Sequence, residues 1–417
     1  MERAEGERNP WKPNPHSPSN MTFLCIASYF KGNRFLERCK AEGATVYLLT
    51  VESALGEAWA RHVCDDVFAV NNFHDRRNLV NVVAFLLRTR KIDRIVALDD
   101  FDVEVGAFLR EHFRMTHTGL GESTARFFRD KLAMRARARE LNIRIPDFCP
   151  IFNHDAVRAF LARVPGPWLM KPRSEASAAG IRKIQNADDV WRRIDELGDE
   201  QSFHLIEQMV PGDLFHVDSL TANNSVVFAE VNAYWRPLLD VYQGGGIYAT
   251  RTLARDRPEV AELRRINAAV VEGFGLGWGA SHTEFMKAHA DGHFYFIETS
   301  ARVGGANTAE MVEHAAGVNL WGEWARLECC RGTSEYRLPT LKQRYGGAIV
   351  SLARQEDPDT GEFNDPEIVY RLNLKHHIGL VVAADSPARV EELLTNYMER
   401  IDRDFHAVMP AADKVSH

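Results

Sequence analysis

The sequence contains no apolar run approaching the ~20 residues that a membrane-crossing helix needs, which argues against a membrane partner. It has no block of lysine or arginine, and its net charge is -7 over 417 residues. That balance argues against nucleic acid or an anionic lipid surface as the main partner, while leaving local basic pockets open. Cysteine is sparse. The six stand at Cys25, Cys39, Cys64, Cys149, Cys329 and Cys330; none forms a CxxC, and the adjacent pair lacks zinc spacing. A reducing, cytoplasmic setting fits that usage. Residues 1–20 lack the apolar stretch of a signal peptide and hold Pro10, Pro13, Pro15 and Pro18, so a disordered tail is expected there. No glycine-rich dinucleotide fingerprint follows the first strand-like segment, and no internal repeat is present.

What is present, from Met21 onward, is alternation of strand and helix. TFLCIAS, TVYLLTV and DRIVAL are short apolar runs suited to a parallel sheet covered on both faces. NRFLERCKAEG, closed by Gly43, and NLVNVVAFLLRTRK are amphipathic helices between them. The acidic patch Asp99, Asp100, Asp102 and Glu104 opens a further helix. These features predict a doubly wound α/β domain over 21–118. ARFFRDKLAMRARARELN predicts one helix running through Lys131, and Pro146 marks the break after it. PWLMKP, FHLIEQMV, FHVDSLTAN, SVVFAEV, ASHTEFMKA and HFYFIETSA then read as strands. Helices are expected at 256–273 and 308–330. Beyond about residue 340, GGAIVSL and IGLVVAAD are strand-like, and a helix covers 386–402.

The segment SHTEFMKAHADGHFYFIETSAR is the most informative. Ala-Asp-Gly between two alternating runs suits a three-residue hairpin loop, with Gly292 in the left-handed position. His289 is then expected opposite His293. Glu284 and Glu298, each seven residues from Asp291, stand opposite each other, with His282 and Ser300 on the same face. Like charges so placed need a proton or a cation between them. Oxygen-only donors favour Mg²⁺ or Mn²⁺. A solvated face carrying two incidental glutamates is the alternative that spacing alone leaves open.

Two lysines have a distinctive setting. Lys131 follows Asp130 on a helix, and Lys171 closes an apolar strand before Pro172. ATP carries about four negative charges, so two lysines and a divalent cation form a reasonable counter-charge set. PRSEASAAGIRKI, after Lys171, is a small-residue loop whose backbone N–H groups could approach phosphate. In HLIEQMVPGDLFHVDSL, a strand runs through Glu207, Gln208, Met209 and Val210 into a Pro-Gly turn. Its extended backbone could meet an adenine edge, with Met209 and Val210 against the ring; an ordinary strand–turn–strand is the alternative. Gln243–Gly246 reads as a loop over the site or a plain surface turn. Arg251 reads as a binder of a substrate carboxylate or a solvated cation, and His216 with Asp218 as substrate groups or a structural pair. His376-His377 lacks a third ligand.

Taken in order, DKLAMRARARELNIRIPDF, PWLMKPRSEASAAGI, LIEQMVPGDLFHVD, HTEF and FIETSARVGG resemble the ATP-grasp superfamily, and within it the carboxylate–amine ligases. The resemblance spans roughly residues 120–325. It implies a pre-ATP-grasp α/β domain over 21–118, then an ATP-grasp α+β fold holding ATP between subdomains 119–205 and 206–335, with an α/β extension over 336–417. It implies Lys131 and Lys171 on the ATP phosphates, Glu207, Gln208, Met209 and Val210 around adenine, and Glu284 and Glu298 as metal ligands. Arg302 would stabilise charge on the transferred phosphate, with Gly304 and Gly305 permitting close backbone approach. The implied cofactors are ATP with Mg²⁺ or Mn²⁺. The implied partners are a small carboxylate and an amine, amino acids among the candidates, and exposed faces of the first domain could support a homodimer. The sequence departs from the family in three places. Ser300 stands where Asn is common, as a weaker oxygen ligand. Leu214, after Asp213, stands where a ribose-binding Glu is common. The phosphate loop is poor in glycine. Besides amide formation through an acyl phosphate, the superfamily includes kinase-like and bicarbonate-activating enzymes, and a non-catalytic ATP-binding module is a further alternative.

Overall fold

The computed structural model describes residues 21–176, 178–331 and 335–408; the tail expected over 1–20 lies outside them. The described chain forms two compact units. One runs to Glu122 and takes up Trp321–Arg337, and the other comprises Ser123–Leu320 and the chain from Leu338.

The first unit is a parallel sheet of β1 (Thr22–Ala27), β2 (Thr45–Val51), β3 (Asp66–Val70) and β4 (Arg94–Ala97), in the order β3-β2-β1-β4. Phe23 through Ala27 are fully buried, as a strand covered on both faces requires. The edge strand β3 was not marked by the apolar pattern, because most of its residues are only half-buried. The strand order reverses between β1 and β4, and such switch points leave a crevice at the strands' carboxyl ends. There Asp102 accepts from the Ser28 amide (2.6 Å) and hydroxyl (2.8 Å), and Lys31 Nζ meets Asp99 at 2.5 Å.

The second unit holds two antiparallel sheets. β5 (Phe148–Pro150), β6 (Trp168–Pro172), β7 (Arg182–Ile184) and β8 (His204–Gln208) form the first, in the order β5-β8-β6-β7. The helices His154–Arg163 and Ala187–Leu197 pack Val157, Phe160, Val190 and Ile194 into a core with Trp168, Ile184 and Ile206. The second sheet contains β9 (Gly212–Ala222), β10 (Ser225–Tyr234), β11 (Tyr248–Thr252), β12 (Gly279–Ala288), β13 (Phe294–Ser300), β14 (Tyr345–Leu352), β15 (Ile368–Arg371) and β16 (His377–Ala384). Its order is β13-β12-β9-β10-β11-β14-β16-β15, so the strands after residue 344 continue the sheet that β9–β13 begin. The helix Pro387–Asp404 covers this extension through Val390, Leu394, Tyr397 and Ile401.

Two helices differ from expectation. The run through Lys131 breaks at Asp130, whose carboxylate accepts from the Leu132 amide (3.0 Å) and caps a helix that starts at Lys131 and ends at Glu140. The 308–330 segment is two helices, Thr308–Ala316 and Leu320–Cys330. Gly317, at φ 79°, ends the first in a left-handed conformation that glycine adopts without strain.

Candidate active site

The hairpin of β12 and β13 sets the site's register. Glu284 pairs with Glu298 and His282 with Ser300, as strand alternation requires. The route to that register differs from the symmetric loop expected. Lys287 pairs with Phe294, and His293 O accepts from the Ala288 amide rather than facing His289. Gly292 takes φ 69° and donates to Ala288 O. The offset this creates is absorbed at Ile297, an extra residue between the pairs Phe285–Phe296 and Glu284–Glu298. The bulge therefore brings the two glutamates level.

Different groups hold each carboxylate. Lys131 Nζ, at the start of the capped helix, donates to Glu298 Oε1 (2.9 Å) and to the carbonyl of Glu175 in the loop after β6 (2.6 Å). Tyr234 on β10 donates its hydroxyl to Glu284 Oε1 (2.8 Å), and His282 Nε2 lies 3.6 Å from the same oxygen. Burial works against ionisation of Glu284, but the His282 ring and the Tyr234 hydroxyl outweigh it and lower its pKa.

Lys171 is buried, and its ammonium meets Glu207 Oε1 at 2.5 Å. Arg135 Nε donates to the other oxygen of Glu207 at 2.7 Å. Burial opposes the charge on Glu207, but Arg135 and Lys171 reverse that and lower its pKa; burial lowers that of Lys171. Two cations around one carboxylate leave a positive excess, which suits a polyanionic ligand. The side chain of Glu207 is thus committed to Arg135 and Lys171. The Gln208 amide donates to Asp147 O (2.8 Å) and the Met209 amide to Pro167 O (3.0 Å), while Gln208, Met209 and Val210 are half-buried.

Beneath Glu284 lies a hydrogen-bonded cluster. Asp218 Oδ2 accepts from Asn232 Nδ2 (2.9 Å) and meets His216 Nδ1 (2.7 Å), and Oδ1 meets His282 Nδ1 (2.8 Å). His216 Nε2 faces the Thr250 hydroxyl at 2.7 Å. Burial of the His282 ring opposes its charge, but Asp218 and Glu284 raise its pKa to about 9. His216, Asp218 and His282 offer ligand atoms within 4.8 Å of one another, the one such group among the described residues. Two imidazoles and a carboxylate are a donor set for a transition metal. Glu284, Glu298 and Ser300 offer oxygen alone, which fits Mg²⁺ or Mn²⁺.

Arg302, half-buried, donates from Nη1 to Val303 O (2.7 Å). Of the two glycines after it, only Gly304 is closely packed. A Cβ there would stand 2.8 Å from Asp218 Oδ1 and 2.9 Å from His282 Nδ1, whereas one at Gly305 would meet nothing within 4 Å. Gln243 lies in the last turn of a short helix, Leu238–Gly244, and donates to Ile181 O (2.9 Å) in the loop after β6. Arg251 is engaged by Glu391 (2.8 Å) and lies over the Trp235 ring, contacts that favour its reading as a surface cation. His376 and His377 gather no ligand set among the described residues. Sequence reasoning missed Tyr234 and Asn232. Alternation along β10 was the available signal, since it places both on one face, with Asn232 paired to His216.

No protein-family model matches the chain. Among curated proteins it is 24% identical over 314 residues to the L-arginine-specific L-amino acid ligase of Bacillus subtilis, covering 74% of this chain and 73% of that one. Among solved structures it resembles the L-amino acid ligase of Bacillus licheniformis, with a TM-score of 0.73 at 15% identity over 94% of this chain and 99% of that one. It also resembles the N5-carboxyaminoimidazole synthetase of Staphylococcus aureus, with a TM-score of 0.70 at 15% identity, covering 93% and 100%. The biotin carboxylase domain of the Hydrogenobacter thermophilus 2-oxoglutarate carboxylase, solved with MgADP, gives a TM-score of 0.67 at 14% identity, covering 93% and 91%. Likeness at these identities shows a shared fold.

Proposed function

We propose that this chain is an ATP-grasp enzyme, an ATP-dependent carboxylate–amine ligase that releases ADP and phosphate. One observation carries the reading. Lys131 touches both the loop after β6, through Glu175 O, and Glu298 of the strand-paired carboxylates, so a single buried cation joins the phosphate side of the site to its metal side. The likeness to two L-amino acid ligases supports amino acids as the substrate class.

A carboxylate oxide is a poor leaving group, so the reaction needs activation. An oxygen of the substrate carboxylate attacks the γ-phosphorus, the bond from that phosphorus to the bridging oxygen breaks, and ADP departs. The amine nitrogen then attacks the carbonyl carbon of the acyl phosphate. The carbon–oxygen bond to phosphate breaks, phosphate leaves, and the nitrogen gives up its proton to water.

Glu284, Glu298 and Ser300 would hold a divalent cation, which would supply charge neutralisation to the phosphate oxygens. Lys131 and Lys171 bind the phosphates. Glu207 holds Lys171 and Arg135 in place, and the backbone and side chains of Gln208, Met209 and Val210 border the adenine. Arg302 offsets charge on the phosphoryl group as it moves. The work is positioning and charge neutralisation, with no covalent nucleophile on the protein. Among the described residues no helix is long and apolar enough to cross a membrane, and the cysteines are free. The use of ATP and the unpaired cysteines support a cytoplasmic setting as part of this reading.

Hydroxylamine tests the intermediate. With ATP and a pool of amino acids, it should intercept the acyl phosphate as a hydroxamate. ADP release with no hydroxamate in any pool would count against carboxylate activation.

A further inference from the structure

We infer that Asp218 is a positioning residue that seats the loop carrying Arg302 against the metal-side carboxylate Glu284, with Gly304 as the point of contact. The inference rests on the ligase reading and adds to it the group that spaces its two ends.

The case begins with cost. Asp218 is fully buried, and burying a carboxylate is expensive even when it is well paired. A well-packed apolar group at such a position is often as stable or more so, so fold stability alone does not account for it. Both oxygens are taken, by His216, Asn232 and His282. His216 is tied onward to Thr250. Side chains from β9, β10, β11 and β12 are thereby fixed to one carboxylate or to its partners.

From this hub two contacts lead to the reacting region. Through His282 the cluster reaches Glu284: His282 Nε2 lies 3.3 Å from the Tyr234 hydroxyl, which donates to Glu284 at 2.8 Å. Through space it reaches the arginine loop. A methyl group at Gly304 would fall 2.8 Å from Asp218 Oδ1, 2.9 Å from His282 Nδ1 and 3.2 Å from Thr308 Cβ. Such distances exclude a side chain unless the loop lifts. Gly304 lies outside the left-handed region, so space, not backbone conformation, demands glycine. The loop that presents Arg302 two residues earlier therefore rests directly on the Asp218–His282 hydrogen bond. One buried carboxylate fixes both the cation's ligand and the arginine that meets the transferred phosphate.

Gly304→Ala and Asp218→Asn test this singly and together. Displacing a catalytic group by a fraction of an ångström should cost turnover about 10- to 100-fold, because rate depends steeply on alignment. We expect kcat to fall by that factor in Gly304→Ala while KM for ATP holds and the protein stays folded at the assay temperature. The double variant should be no slower than the slower single one, because both changes break one contact. A second readout is Mn²⁺ binding with a non-hydrolysable ATP analogue: Asp218→Asn should weaken it and Gly304→Ala should not. Wild-type kcat in Gly304→Ala, or losses that multiply in the double variant, would overturn the inference. Should Asp218→Asn fail to fold, Gly304→Ala decides alone through its kcat. A wild-type protein that binds ATP yet turns over nothing defeats the ligase reading instead, and the Mn²⁺ comparison then decides whether Asp218 acts on Glu284.

Discussion

Each unit buries an aspartate almost completely, and the two have opposite fates. Asp102, at the switch point of the parallel sheet, is 1% exposed; Asp218, in the eight-stranded sheet, is 0% exposed. Burial pushes Asp102 up, the neighbouring Asp99 adds to this, and the Ser28 bonds and Lys31 offset only part, leaving its pKa at about 7. Burial pushes Asp218 up as well, but the His216 and His282 rings outweigh it and hold the carboxyl well below its ordinary range. Desolvation is shared, so the sign of the neighbouring charge decides. The first unit lets a buried carboxyl keep its proton. The second surrounds its own with donors, and Glu284 and Glu207 of the candidate site are shifted downward in the same way.

That contrast predicts where removing a negative charge matters. The largest effect is expected at Glu298→Gln, which should cut turnover by about 10³-fold or more through loss of a metal ligand, with folding retained. Steady-state kinetics across a Mg²⁺ titration checks it; a variant with wild-type turnover contradicts the assignment. Next is Glu207→Gln, which strands Arg135 and Lys171 without a counter-charge. Breaking a buried ion pair by removing one partner costs about 3–5 kcal/mol, so its denaturation midpoint should drop sharply. Lys171→Ala should weaken ATP binding about 10- to 100-fold, the range expected when a charged hydrogen bond to phosphate is lost. Unchanged nucleotide affinity by calorimetry would remove Lys171 from the site.

Smaller effects belong to the first unit and the surface. The folded pKa of Asp102 lies above its unfolded value of 3.8. Its contribution to stability is therefore full below that value and lost as pH rises through about 7. Asp102→Asn should lose less stability than wild type between pH values on either side of that window; parallel curves would contradict the shift. Asp218 runs the other way: its folded pKa is depressed, so its contribution holds above 3.8 and is lost as pH falls through the folded value. The smallest effect is expected for Arg251→Ala. Its partner Glu391 is half-exposed, so loss of the pair should cost at most about 1 kcal/mol in chemical denaturation.

Legibility followed periodicity. Strands with uninterrupted apolar runs, such as β1, and strands with clean alternation, such as β12 and β13, could be read from the residues, and so could the facing of Glu284 and Glu298. The bulge at Ile297 could not, because nothing in FYFIETS distinguishes a bulged residue from a paired one. Here a loop offset and a bulge cancelled, so a symmetric model of the hairpin reached the observed pairing by a different path. The helix start at Lys131 was hidden by continuous helix-forming residues on both sides; only Asp130 as a cap marks it. The environment of Glu207 was hidden for another reason. Arg135 and Lys171 are 72 and 36 residues away from it along the chain, and no local pattern encodes contacts at that range. The same holds for Tyr234 on Glu284, 50 residues apart. Motif order thus pointed to the candidate site, while the side-chain partners around it came only with the fold.

The central claim is that ATP is spent on joining a carboxylate to an amine, and its most direct test is ADP release from the purified chain with Mg²⁺ against amino-acid pools. The account predicts release only when a carboxylate and an amine acceptor are both available, with a stoichiometric amide product. ADP formed with a single co-substrate and no amide, or none in any pool despite ATP binding, would contradict it.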